Sequence, residues 1–358
     1  MASPRVVNAL LVVVTALKLF WWTSPVLAGL PQGNAVKDPE AILRDALPFN
    51  QENLRRLQHQ IEGTSNDLRA KRWGALVKSV KQGQDLLGAS GSQILQDIPA
   101  NHQQMGQQLL EEIAADLETL SQEASSEDKS SFISLRRTTL RRIGELENLL
   151  VNGISFTIPE DFDDLPRLLG RATVSIETTQ GQLTTIVDGF NAPLTAGAFV
   201  DLVEKGFYDN LPFTRAEDFY ILQTGDPEGP AIGYVDPAMG VERHVPLEIS
   251  IPGEPEIFYN QTFEDLGFYK ATPTLPFATL GTLGWAHSDQ ALDDGSSQFF
   301  LFLYEAELTP AGLNLVDGRN AAFGYVVDGF DVLEQIGVDD RVLAAKVVAG
   351  QDNFRPHA

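Results

Sequence analysis

The stretch Phe213-Thr-Arg-Ala-Glu-Asp-Phe-Tyr-Ile-Leu-Gln-Thr-Gly-Asp226 decides how the chain is read. Taken alone, it is a strand with a turn, and Gly225-Asp226 is a turn signal in its own right. It sets an arginine, Arg215, eight residues before a glutamine, Gln223, with Tyr220 and Ile221 between them. Arg215 has a plain alternative role, a surface ion pair with Glu217 or Asp218, which such side chains form readily.

Two segments downstream extend the reading. Trp285-Ala-His287 leads to Gly295-Ser-Ser-Gln-Phe-Phe300, and Leu315-Val-Asp-Gly-Arg-Asn-Ala-Ala-Phe-Gly324 follows. Each has a structural explanation, Phe299-Phe300 as core and Asp317-Gly318 as a hairpin turn. In this order, however, the three segments resemble the cyclophilin family of peptidyl-prolyl isomerases. The family's Phe-x-Arg and Gln-x-Gly-Asp stand here as Arg215 and Gln223-Thr-Gly-Asp226. Its Gly-Ser-Gln-Phe-Phe stands as Gly295, Ser297, Gln298, Phe299 and Phe300, with one extra serine. Its Asp-Gly and Phe-Gly stand as Asp317-Gly318 and Phe323-Gly324.

The resemblance covers roughly residues 170–350. It implies a closed antiparallel β-barrel with capping helices, turnover of X-Pro bonds in polypeptide clients, and no cofactor. It makes Arg215 the cation near the twisted amide and gives Gln223 the task of orienting Arg215 and holding the client backbone. It lines the proline slot with Tyr220, Ile221, Phe300 and Leu315, with Phe300 as the floor. Ala286, His287 and Gln298 would border the neighbouring subsite, and Asn320 the far rim. No second ligand stands at useful spacing from His287, so no metal is expected there.

The chain departs from the family pattern at the pocket. Tyr220 and Ile221 replace Phe and Met, Leu315 replaces the usual Trp, and Asn320 replaces His. Each tenfold loss in rate needs only about 1.4 kcal/mol. A catalytically weak binding scaffold is therefore the second reading, with the helical domain as client-binding or regulatory module. The stretch 226–286 is longer than usual for the family and carries Pro252-Gly-Glu-Pro255, Phe258-Tyr259 and Phe268-Tyr269. It is either a surface insertion or a loop that packs on the helical domain or gates the pocket.

Upstream, Ala172–Thr178 and Leu183–Asp188 read as strands joined by a turn at 179–182. Residues 192–206 read as an amphipathic helix, capped by Thr195 and ended by Gly206 in the left-handed conformation. From 38 to 155 the pattern is helical, with apolar residues three and four apart, as in Leu54, Leu57, Ile61 and in Leu109, Ile113, Leu117, Leu120. Breaks are expected at 63–65, 88–91 and 125–128, with Asn50, Ser65, Ser90 and Ser126 as caps. This predicts a short helix near 38–46 and then a bundle of four main helices. Residues 156–169, with two prolines and a run of acids, read as a linker.

The fold class is therefore α + β with two domains, a helical bundle at 38–155 and a cyclophilin-like barrel at 170–350. Pro39-Glu-Ala-Ile-Leu-Arg-Asp-Ala-Leu-Pro48, Ile158-Pro-Glu-Asp-Phe162 and Gln223-Thr-Gly-Asp-Pro-Glu-Gly-Pro230 resemble the large thylakoid-lumen cyclophilins of plants and cyanobacteria. That likeness implies photosystem II assembly as the role, lumenal photosystem II segments as clients, and contact between the two domains.

Bulk properties agree. The 358 residues suit two domains, and the net charge of -23 repels nucleic acid and anionic lipid, so neither is expected as a partner. The absence of cysteine excludes disulfides and thiolate chemistry. Arg5, an apolar run from Val6 to Trp22 broken by Lys18, and the small residues Val26 and Ala28 read as a Sec-type signal peptide over 1–28. An uncleaved anchor is the alternative. Export to the periplasm or the thylakoid lumen follows from the first reading.

Overall fold

The computed structural model describes residues 38–356 apart from 239, 270 and 304–315. Segment 1–28, expected to be a signal peptide, and Leu315 lie outside the described residues. Among those residues no helix is long and apolar enough to cross a membrane.

The helical half is built from α1 (Pro39–Asp45), α2 (Glu52–Glu62), α3 (Thr64–Arg69), α4 (Trp73–Asp97), α5 (Gln103–Ser125) and α6 (Lys129–Asn148). One apolar stripe per long helix drives their association. Leu57 and Ile61 of α2, Leu76 and Val80 of α4, Ile113 and Leu117 of α5, and Ile143 and Leu146 of α6 are buried in one cluster.

The expected break at 88–91 is absent, because α4 runs straight through it. A Cβ at Gly88 or Gly91 would meet open space, so these glycines sit on the exposed side. The stripe meanwhile continues through Leu87 and Ile94, both buried. Burial of that stripe outweighs the roughly 1 kcal/mol that each helical glycine costs. The true turn lies at Pro99, where Ile98 is extended, as the residue before proline prefers.

The caps also differ. Gln51, not Asn50, accepts the Asn53 amide proton, and Asp128, not Ser126, accepts that of Ser131. Ser65 and Ser90 lie within helices and donate to the carbonyls of Glu62 and Leu86.

The second half is an eight-stranded antiparallel sheet. A short pair, β1 (Arg167–Leu168) with β12 (Phe354–Arg355), lies beside it. The main strands are β2 (Arg171–Thr178), β3 (Gly181–Asp188), β4 (Phe213–Glu217), β5 (Ile221–Thr224), β8 (Thr282–Trp285), β9 (Phe299–Phe302), β10 (Ala322–Asp328) and β11 (Val342–Ala349), in the order β11-β2-β3-β10-β8-β9-β5-β4. The two edges meet. Phe213 donates its N–H to Asp340 and Val342 donates to Leu211, each at 2.9 Å, which closes the sheet into a barrel. The expected β2–β3 hairpin is present, with Thr178 paired to Gly181.

Helix α7 (Pro193–Glu204) plugs the barrel, and its Phe199 ring packs on Tyr208, Phe299 and Phe323. Gly206 is left-handed as expected, with φ 65°. Thr195 does not cap α7, which begins two residues earlier at Pro193. The buried Glu248 carboxylate accepts the amide protons of Leu194 and Thr195 instead. Glu248 belongs to β6 (Glu248–Ile249), which pairs with β7 (Phe258–Tyr259) inside the long 226–286 stretch. That stretch also forms α8 (Phe263–Leu266), while α9 (Phe330–Leu333) lies near the end.

Segment 156–169 is docked rather than free. Ile158, Leu165 and Leu168 are buried, and Phe162 packs on Tyr259 at 5.0 Å. Helix α1 also joins the barrel, since Ile42, Leu43 and Ala46 lie in its core cluster. Asn191 donates its side-chain N–H to the Ala46 carbonyl at 2.9 Å, and Arg171 donates to that of Leu43. On its other side α1 holds the bundle, with Arg44 Nε donating to Glu62 at 2.9 Å. The halves therefore share one element.

Three buried carboxyl groups make stability depend on pH. Burial pushes Glu147 up to about 8, against the pull of Arg55 and Arg44. It pushes Glu248 up to about 7 and Asp317 to about 6, although backbone N–H groups oppose both shifts. The folded chain thus keeps protons that the unfolded chain has released. This contribution is fully present below the ordinary carboxyl range and is lost as pH rises through about 6 to 8. The melting temperature is expected to be higher at pH 5 than at pH 8.5, with Glu147→Gln reducing the difference. A melting temperature that climbs with pH over this interval would contradict the assignment.

Candidate active site

Strand register assembles the site. Arg215 on β4 pairs with Gln223 on β5, Gln223 with Phe300 on β9, and Phe300 with Gly284 on β8. Residues paired across antiparallel strands point to the same face, and so do residues two apart along one strand. Arg215, Gln223 and Phe300 therefore form a row across the sheet. Ile221 and Phe302 form the next row. Gln298 and Ala286 lie one step the other way, joined by the Ala286 N–H donating to the Gln298 carbonyl at 3.0 Å.

Phe300, the expected floor, is 6% exposed. Its ring lies over Gly284, where an added Cβ would come within 2.2 Å of the ring. Phe277 stacks on it with centroids 5.7 Å apart and planes 12° apart, and also meets Phe302 edge-on at 5.5 Å. Gly284→Ala is expected to force the Phe300 ring from this position. Overpacking of this kind costs about 1–3 kcal/mol of stability, and peptide turnover should fall about tenfold, or 1.4 kcal/mol. Unchanged melting and unchanged turnover would show that the floor tolerates displacement.

The polar groups are arranged differently from expectation. Gln223 does not bond Arg215. Its side-chain N–H donates to Gln298 Oε1 at 2.8 Å, and Gln298 Nε2 donates in turn to the Ile232 carbonyl at 2.8 Å. The group that holds Arg215 is Glu217, whose Oε1 accepts from Nε at 2.6 Å. The guanidinium also lies 5.6 Å from the centre of the Tyr220 ring. Tyr220 is 43% exposed at the rim and leans edge-on toward Phe302, with centroids 6.2 Å apart.

The far side is joined by loop contacts. His287 places Nδ1 2.8 Å from the Ser288 carbonyl and Nε2 2.8 Å from that of Arg319. Asn320 donates to the Trp285 carbonyl at 3.4 Å. The segments around 286 and 320 therefore adjoin. Asn320 also lines a cavity with Glu248 and Asn191 that has room for about one water.

Several motif residues prove architectural. Gly225 has φ 96°, and a Cβ there would come within 2.4 Å of the Ser297 carbonyl. Ser297 donates back to the Gly225 carbonyl at 2.7 Å. Asp317 accepts the Phe277 amide proton at 2.8 Å, so the Asp-Gly turn pins the aromatic platform. Phe277 adjoins the candidate site without having been expected there, and the Arg215–Glu217 contact is the surface pair that the sequence offered as the alternative role for Arg215. Phe277 carries no strand periodicity, and Glu217 appeared only as a partner for a surface pair.

Known proteins supply the family. Residues 173–350 match the family model described as cyclophilin type peptidyl-prolyl cis-trans isomerase, and residues 38–151 match a CYP38-like, PsbQ-like domain. A thylakoid lumen peptidyl-prolyl cis-trans isomerase of Synechocystis, sll0408, is 45% identical over 97% of this chain and 94% of its own length. The chloroplastic isomerase CYP38 of Arabidopsis thaliana is 36% identical over 92% of this chain and 78% of its own. Both relatives span the helical and barrel halves together, and the chain accordingly belongs to the cyclophilin-type peptidyl-prolyl cis-trans isomerases, in the branch that carries a PsbQ-like helical region.

Proposed function

We propose that this groove isomerises X-Pro bonds of exported clients in the thylakoid lumen, with photosystem II lumenal segments among them. The observation that carries the reading is the single row of Arg215, Gln223 and Phe300 on one sheet face. Rotation about a peptide bond faces a barrier of about 18–20 kcal/mol, and uncatalysed proline isomerisation takes roughly tens to hundreds of seconds. In the twisted amide, resonance is lost and the nitrogen regains its lone pair. No nucleophile is needed. The groove has to bind the twisted form better than either planar isomer.

Phe300, with Phe277 behind it, offers the proline ring an apolar floor. Ile221 and Tyr220 supply the wall beside it. Arg215 keeps its terminal nitrogens for the prolyl carbonyl and the developing lone pair, where a planar cation donates well. Gln298, tied to Gln223 and to the Ile232 carbonyl, presents its edge to the client backbone, beside Ala286 and His287. Asn320 closes the far rim. The relatives' names support the lumen as the compartment. The ion pair on Arg215 favours slow turnover over none.

The test is cis–trans isomerisation of a short Ala-Pro peptide by the full chain. Acceleration above the spontaneous rate supports the reading. Peptide binding without acceleration would leave a scaffold that holds proline segments.

A further inference from the structure

We propose that Glu217 is a positioning residue that restrains catalysis, holding Arg215 oriented while neutralising the charge on which turnover depends. The inference rests on the isomerase reading of the groove and concerns its regulation.

The geometry is local and specific. Glu217 lies two residues beyond Arg215 on β4, so the pleat points both side chains to the groove face. Oε1 accepts from Arg215 Nε at 2.6 Å. Gln223, the cross-strand neighbour, is committed to Gln298 and makes no bond to the guanidinium. Apart from the Tyr220 ring, Glu217 is the group that fixes Arg215 among the described residues. Bonding through Nε leaves the terminal nitrogens to reach a client carbonyl. Orientation is therefore served by this contact.

The charge is not served by it. Arg215 and Glu217 are 46% and 49% exposed, so in the empty groove water screens the pair and it contributes little to stability. A bound client displaces that water, and the attraction between the two groups strengthens as the local dielectric falls. A cation paired this closely offers less to the twisted amide, and the Glu217 bond holds the guanidinium protons more tightly. Only interactions stronger in the transition state than in the ground state raise the rate. The carboxylate therefore taxes the step in which Arg215 acts.

Two substitutions separate the effects. Glu217→Gln keeps an oxygen for the Nε–H and removes the charge. Glu217→Ala removes both. In the peptide assay with the full chain, Glu217→Gln is expected to raise kcat about threefold to tenfold with KM little changed. Glu217→Ala should gain less, because the guanidinium loses its anchor. Arg215→Ala should erase the gain in the double variant.

A Glu217→Gln chain faster than wild type, with the gain lost on adding Arg215→Ala, would support the proposal. A Glu217→Gln chain no faster than wild type, in an assay where Arg215→Ala is slower, would overturn the proposal and leave the isomerase reading standing. A gain that survives Arg215→Ala would overturn it too. No turnover by any variant would remove the isomerase reading and the proposal together.

Discussion

Arg215→Ala is expected to lower kcat/KM for an X-Pro peptide by about 10²–10³, the range found when one preorganised donor to a developing charge is removed. The loss should fall mainly on kcat, because the floor at Phe300 and the backbone contacts near Gln298 remain to bind the planar substrate. The melting temperature should hardly move. Arg215 is half exposed and its only ion pair among the described residues is with Glu217, itself half exposed, and such pairs contribute at most about 1 kcal/mol. Kinetics beside thermal denaturation therefore decides the matter. Equal kcat/KM in wild type and variant would mean that the row across β4, β5 and β9 does not work through its cation.

Ile42→Ala should have the largest effect on stability, about 2–5 kcal/mol. Its side chain is 4% exposed and sits in the core of the barrel, although it lies well before the first barrel strand in sequence. The prediction is directional in space. Hydrogen exchange of the β2 and β3 amides should accelerate, since α1 is bonded to Arg171 at the start of β2 and to Asn191 just after β3. Barrel amides as protected as before would show that α1 serves the bundle alone.

The same contact bears on any comparison of the whole chain with its barrel. A chain beginning at residue 168 loses Ile42 and Leu43 from its core and leaves Arg171 and Asn191 without the α1 carbonyls they bond. Its stability should fall along with any masking that the bundle exerts. Activity differences between the two chains need a stability measurement beside them.

Parts of this architecture were legible because they depend on local periodicity. The stripe Leu54, Leu57, Ile61 can be buried only by a helix, and Ala172-Thr-Val-Ser-Ile alternates as a strand must. The helix through Gly88 to Gly91 was not legible. Two glycines and a serine satisfy the local rules for a break, and only burial of Leu87 and Ile94 against neighbouring helices overrides it. Caps failed in the same manner. Thr195 has the chemistry to cap α7, but a carboxylate from residue 248, brought there by the long stretch after β5, holds the helix start.

The sequence by itself determined the family through three ordered motifs, and the likeness those motifs carry implied the barrel and the candidates Arg215, Gln223, Gln298 and Phe300. The tertiary structure alone decided which polar group holds which. Gln223 and Glu217 were both within reach of Arg215 on paper. Register and pleat place all three on one face, and the hydrogen bond from Gln223 to Gln298, on a segment some seventy-five residues away, leaves the arginine to the carboxylate. Pairings across strands depend on side chains that meet only after the sheet has closed, and no spacing along the chain encodes their competition.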